Sequence, residues 1–210
     1  MVNLLRRREM ILPSSSSEWD YEWDYTMGMP SADDWSHVTS GTSTTTIEST
    51  GLKLTNSSSS GWNTFYFKRF GASTAVFEIK MKVKYRATNA GGFGIVTLHN
   101  SGSSTGNSIS VAFSTKSATS GKIYLPTVST WDEGTQIGTF SSDVYKVVRI
   151  ELDNNVGRVY LNGVLAADNI DPTQLHGYQG DTVFSAYHFK EGGTYHYLMI
   201  EYIKIKLGRL

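Results

Sequence analysis

A two-sheet antiparallel β-sandwich of jelly-roll type is the fold class predicted for this 210-residue chain. Three observations predict it. Ser and Thr are abundant and aromatics reach 12%, which suits pleated, half-buried strands. Apolar and polar residues alternate in short runs, the period-two signature of a strand with one face in a core. Clusters of Gly, Ser and Asn separate those runs, and no stretch of Ala, Leu, Glu and Lys at helical spacing breaks the series.

The elements follow in order. Residues 1–17 stand apart as an N-terminal arm and Ser linker, with 18–210 as the sandwich domain. In the arm, Arg6, Arg7 and Arg8 lie between Leu4, Leu5 and Met10, Ile11, Leu12, and Pro13 with Ser14–Ser17 reads as a flexible joint. We expect Leu4, Leu5, Arg6, Arg7, Arg8 and Ile11 to attach the domain to a larger assembly. The competing reading is a tail with a chance basic triplet.

Glu18–Tyr25 alternates strictly, so in a strand Trp19, Tyr21, Trp23 and Tyr25 share one face and Glu18, Asp20, Glu22 and Asp24 the other. The aromatic face is expected to be core. No Lys or Arg occurs between Arg8 and Lys53, so the acidic face needs cations from a neighbouring strand. Phe77–Tyr85, with Lys80, Lys82 and Lys84 on one face, is the expected partner. Further strands are predicted at 51–55, 64–68, 92–99, 108–114, 122–125, 136–140, 145–152, 158–161, 182–189 and 197–207. Asn162-Gly163 is the strongest hairpin signal, turning the chain into Val164-Leu165. Ser31–Trp35 is predicted as a turn.

Several function classes are excluded. With 19 Lys+Arg against 19 Asp+Glu, the chain lacks the cationic surplus of a general nucleic-acid binder. It has no Cys, hence no disulfide framework and no thiolate zinc site. Its apolar runs fall far short of the roughly 20 residues of a membrane-spanning helix. The opening residues lack an apolar stretch of signal-peptide length, which predicts synthesis in the cytoplasm of a host cell.

Gly51–Leu54, Phe77–Val83, Val148–Asp153, Val159–Leu165 and Ile200–Ile205 together resemble the strand set of concanavalin A-like lectin/glucanase domains, particularly the laminin-G-like branch. The resemblance covers roughly residues 18–208. It implies two curved sheets whose concave face often holds carbohydrate, although fold analogy alone does not establish an activity. The opening Asn-Leu-Leu-Arg-Arg-Arg-Glu, the Ser linker and the Trp-Asp-Tyr repeat also resemble the N-termini of bacteriophage and prophage virion proteins. That resemblance implies a virion location and makes the arm an anchor to other virion proteins.

Catalysis has one candidate constellation. Glu18-Trp19-Asp20-Tyr21-Glu22 fits E-x-D-x-E, the catalytic strand of the resembled glucanases, which use two carboxyls flanking one glycosidic bond. Residues i and i+4 of a strand lie about 13 Å apart, so convergence would need a bent strand. The motif also sits beside a linker, with Trp and Tyr between the acids. A lyase using a Tyr or His base at Tyr187-His188 or Tyr195-His196-Tyr197 is the other enzyme reading. Glycan binding needs aromatic platforms and a few polar anchors, and the candidates are Trp131, Trp62, His99, Tyr187 and His188. Trp131 stands out because its segment, Ser129–Gly134, is otherwise polar. Calcium is common in the resembled superfamily, and Asp132, Glu133, Asp153 and Asn155 carry ligand oxygens in turns, but they lack the spacing of a dedicated loop. The sequence therefore predicts no dedicated metal site and no resident cofactor, with calcium at these turns as the alternative.

The expectation is a non-catalytic glycan-binding or surface-decoration module of a virion, meeting host-surface or mucus glycans. A homo-oligomer is expected, since several weak sugar sites together raise avidity. A glycan-degrading enzyme and a structural protein without ligand are the alternatives.

Overall fold

The computed structural model describes residues 18–41, 43–56, 62–67, 74–85, 92–99, 108–114, 121–127, 130–153, 156–171, 184–190 and 197–208. In chain order the strands are β1 (Tyr21–Asp24), β2 (Trp35–Thr39), β3 (Ser43–Glu48), β4 (Gly51–Asn56), β5 (Trp62–Phe67), β6 (Thr74–Lys84), β7 (Gly92–His99) and β8 (Ser108–Ser114). They continue as β9 (Gly121–Thr127), β10 (Thr130–Phe140), β11 (Lys146–Asp153), β12 (Val156–Leu161), β13 (Val164–Ile170), β14 (Phe184–Lys190) and β15 (Tyr197–Leu207). Tyr25–Met27 forms a single 3-10 turn, capped by the Asp24 side chain accepting from the Thr26 N–H.

Two antiparallel sheets result, as the alternation predicts. The eight-stranded sheet runs β13-β12-β11-β6-β15-β4-β3, with β1 added on β15, and the seven-stranded sheet runs β10-β9-β8-β7-β14-β5-β2. Alternation sends one residue of each pair inward. Phe77, Ile79 and Met81 of β6, Val148, Ile150 and Leu152 of β11, and Ile203 and Ile205 of β15 are buried in one cluster with Ile109, Val111 and Phe113 of β8. Burying a side chain of Phe77's kind stabilises the fold by roughly 2–3 kcal/mol.

The sheets approach closely at Gly157, where an added Cβ would lie 2.0 Å from Ile109 Cδ1 of the facing sheet. The Asn162-Gly163 hairpin is present, with φ of 51° and 77°, the left-handed pair that a type I′ turn requires. The Asn162 N–H donates to Val147 O at 2.8 Å, and its Oδ1 accepts from Val147 N at 2.9 Å.

Three expectations need correction. The acidic strand does not pair with the lysine strand, because β15 lies between them, and Glu22 of β1 stands directly opposite Lys204. The chain bends over 18–20 before β1 begins, so Trp19 leaves the core face. It lies instead on the outer side, 5.7 Å from both Lys204 Nζ and the Arg149 guanidinium. Trp23 is buried as expected, Tyr21 and Tyr25 partly so. Finally, β3 was not predicted, since Ile47 is the single large apolar residue in Ser43–Glu48. The arm, residues 1–17, lies outside the described residues.

Candidate functional site

The two outer faces differ in chemistry. On the eight-stranded sheet, β6 and β15 turn Glu78, Lys80, Lys82, Lys84, Tyr197, Tyr202 and Lys204 outward because the alternate positions are core. These side chains bind one another. Lys82 Nζ is 2.8 Å and Lys84 Nζ 3.6 Å from Asp143, which also accepts from the Tyr197 hydroxyl at 2.7 Å. The Lys82 ammonium, bonded to it, holds the Asp143 carboxyl below the usual carboxylate range. Lys80 pairs with Glu201 at 2.8 Å, and the Tyr202 hydroxyl donates to Glu78 at 2.9 Å. Burial pushes the Tyr197 and Tyr202 phenols up, and the carboxylates they donate to add to the effect.

A groove of about 540 Å³ opens on this sheet beside β1, lined by Glu22, Asp24, Tyr25, Glu201, Tyr202 and Lys204 among others. Here the E-x-D-x-E residues are placed. Glu22 faces the groove, while Asp20 Oδ2 accepts from the Leu207 N–H at 2.7 Å and so ties down the end of β15. Glu18 is exposed in the bend before β1. The three acids do not converge on one point.

The seven-stranded sheet has another character. Six of its strands, β2, β5, β7, β8, β9 and β14, contain no Asp or Glu at any position. In β8, Ile109, Val111 and Phe113 are core, which places Ser110, Ala112 and Ser114 on the outer face, and all three are buried. Small residues therefore floor the middle of this face. Pairing carries the rows outward from them. Ala112 stands opposite Ile95 and Tyr124, Ile95 opposite Tyr187, and Tyr187 opposite Thr64. Ser114 stands opposite Phe93 and Lys122, Phe93 opposite Phe189, and Phe189 opposite Trp62.

Trp62 and Tyr187 thus occupy positions of one face, and His99, at the end of β7 opposite Ser108, belongs to the same face. His188 is in the alternate register, opposite Asn63. The side chains of Trp62, His99, Tyr187 and His188 lie outside the described residues. Trp131 lies in β10, the edge strand, within an irregular stretch between Thr130 and Gly134 where the pairing with β9 shifts. Its side chain lies outside the described residues.

Sequence reading missed one polar cluster. Asn63 is buried, its Oδ1 accepts from His37 Nε2 at 2.7 Å, and its Nδ2 donates to Thr44 O and Thr45 Oγ1 at 2.9 Å. It joins β5 of one sheet to β3 of the other, a satisfied staple at the open edge of the sandwich. The only trace in the sequence is an Asn at an inward position of an aromatic strand.

Among the described residues no three His, Asp or Glu side chains converge to hold a metal ion. No helix among them is long and apolar enough to cross a membrane.

No known family model matches the chain, and no curated protein matches it in sequence. Solved structures do match. The carbohydrate recognition domain of Emp46p in its potassium-bound form has a TM-score of 0.59 and 13% identity, covering 92% of this chain and 100% of its own. The fold is that of the concanavalin A-like jelly rolls. The β-glucanase of Bacillus licheniformis has a TM-score of 0.62 and 14% identity over 89% of this chain and 97% of its own. The carbohydrate esterase vb_24B_21 of the Shiga toxin-encoding bacteriophage phi24B has 0.57 and 14%, over 84% and 91%. These neighbours comprise a carbohydrate recognition domain and two glycan-acting enzymes, and at 13–14% identity the likeness shows the fold alone.

Proposed function

We propose that the protein is a non-catalytic glycan-binding module that uses the outer face of its seven-stranded sheet. The observation that carries the reading is the absence of any carboxylate from six adjacent strands of that sheet. A glycosidase needs two carboxyl groups flanking the scissile bond, whereas binding needs aromatic faces, hydroxyls and a small-residue floor. Positions Trp62, Tyr187, Phe93 and Tyr124 bring aromatic residues to that face, around the small residues Ser110, Ala112 and Ser114. The concanavalin A-like neighbours that bind or process carbohydrate support the ligand class.

The test is a glycan array with the full chain, then with Tyr124→Ala and Trp131→Ala. Binding that is weakened by either variant while thermal unfolding is unchanged is the expected result. An array without any bound glycan would overturn the reading and leave a structural decoration protein.

One observation favours an enzyme instead. Glu22 and Glu201 line the same groove on the other sheet. Release of reducing sugar or unsaturated uronate from a polysaccharide panel, abolished by Glu22→Gln, would establish it. We expect no release.

The finer part of the proposal is that a phage virion carries the module through the arm at 1–13, as a head-fibre, decoration or tail protein, and as a homo-oligomer. The resemblance of the opening residues to virion proteins supports it, and so does the phage esterase among the structural neighbours. Light scattering of the full chain beside a chain starting at Ser14 tests it. An assembled full chain and a monomeric truncation are expected, and identical sizes would remove the assembly role.

A further inference from the structure

The groove beside β1 lies at a break in the eight-stranded sheet. One flank of β15 pairs with β4 as far as Ile200 and with β1 from Tyr202, and the register of β15 on β6 shifts between those two residues. Glu201 falls in that shift, and such bulges re-aim side chains. It lines the groove with Glu22 and Asp24 of β1, with Tyr25 and Tyr202, and with Met27, which is largely exposed. Cations meet part of this charge. Lys80 bonds Glu201 at 2.8 Å, and Lys204 stands opposite Glu22. Asp24 adds a third carboxylate, held below the usual carboxylate range by its bond from the Thr26 hydroxyl. A surplus of carboxylate beside tyrosines is a setting that suits a guanidinium.

The same chain supplies the complement. Residues 18–34 contain six acids and no Lys or Arg, whereas residues 1–13 contain Arg6, Arg7 and Arg8 against Glu9 alone. Arg8 precedes Glu18 by ten residues, a reach of up to about 35 Å when extended, and Glu22 lies only about 13 Å along the strand direction from Glu18. Leu4, Leu5 and Ile11 flank the triplet and suit the exposed Met27. A tether of this length holds the arm near the groove at an effective concentration on the order of a millimolar, well above that of a second chain in dilute solution.

We propose that the groove beside β1 is the docking site of this chain's own arm, with Arg6, Arg7 and Arg8 set against Glu22, Asp24 and Glu201 and the tyrosines beside them. The arm of a free chain is then stowed on its own domain, and any assembly through the arm requires its release. The inference depends on neither the glycan nor the virion reading.

The chain has no Cys, so a pair of introduced cysteines reports the contact in the full chain. Arg7→Cys with Met27→Cys, diluted until light scattering shows single chains, should close a disulfide within one chain under mild oxidation. Closure should be about tenfold faster than for Arg7→Cys with Val156→Cys, the worth of one charge-assisted contact. Val156 is exposed on β12 of the same sheet, so both pairs leave the core intact. Salt at about 0.5 M should abolish the difference, and adding Glu22→Gln should slow closure about threefold, the worth of one exposed ion pair. Equal rates for the two pairs, or a difference that survives either salt or Glu22→Gln, overturns the docking. A disulfide that joins two chains at that dilution gives the groove to a second copy's arm and overturns it too.

Discussion

The two sheets share one core and diverge on their outer faces. The eight-stranded sheet spends its charged residues on itself. Lys82 and Lys84 converge on Asp143, Lys80 meets Glu201, Arg149 meets Glu151, and Lys204 and Arg149 hold Trp19 between them. Six adjacent strands of the seven-stranded sheet, β2, β5, β7, β8, β9 and β14, contain no Asp or Glu, and Ser110, Ala112 and Ser114 are buried in its middle. One face thus pairs its acids with its cations, while the other is built from small and aromatic positions on strands without acids. On the proposed reading, recognition belongs to the seven-stranded sheet and the charged lattice to the other.

The largest effect should ignore the division altogether. Phe77→Ala removes a fully buried ring from the cluster that both sheets build and should cost about 4 kcal/mol. Urea unfolding followed by fluorescence and by far-UV dichroism should show a single, coincident transition at lower urea. Two separated transitions would mean that the sheets do not share one cooperative core.

A carboxylate placed on each sheet should sharpen the contrast. Ser110→Asp buries a new charge on the acid-free face and should cost about 3 kcal/mol near neutral pH. The new group's folded pKa is raised, so the loss should shrink as pH falls and the carboxyl protonates. Thr46→Asp, exposed on β3 and opposite Lys53, should change stability by less than about 0.5 kcal/mol. Equal costs at the two positions would refute the contrast.

Legibility from sequence follows the same line. Alternation showed which residues of β6, β11 and β15 face inward, and Asn162-Gly163 announced its turn, because both signals are local. The partner of β1 was not legible. Lysines on β6 and on β15 both answer the charge of Glu22, and the choice is made by Trp23 packing inward and Asp20 binding Leu207, contacts between residues far apart in the chain. Trp19 departed from its alternation because the chain bends before β1, and nothing in Glu18-Trp19-Asp20 marks that bend. β3 was hidden because Ser and Thr fill it. For the candidate face, Trp62, Tyr187 and His99 were legible singly as aromatic and polar anchors, but their common face depends on the register of β5, β14 and β7.

A smaller effect belongs to the charged lattice. Asp143→Asn removes the negative charge that Lys82 and Lys84 share and keeps an amide oxygen to accept from Tyr197. The site is more than a third exposed, so the cost should be about 1 kcal/mol or less. The folded pKa of Asp143 is depressed, so its contribution is complete above the ordinary carboxylate range and is lost as pH falls through the folded value. Thermal unfolding from pH 7 down to pH 2 should therefore show wild type and Asp143→Asn converging at the acid end. A constant gap across that range would mean that the carboxylate's charge is not what the network uses.

The smallest expected change sets one lysine of each sheet against the other. Lys122→Gln removes a cation for which the described residues supply no acid, so thermal stability should move by less than about 0.5 kcal/mol. Lys82→Gln, which breaks the 2.8 Å pair with Asp143, should cost more, about 1 kcal/mol. The ordering tests whether a carboxylate partner, and not charge alone, sets what a lysine contributes to the fold. If Lys122→Gln proved the more destabilising of the two, the lysine would be a structural element of the seven-stranded sheet.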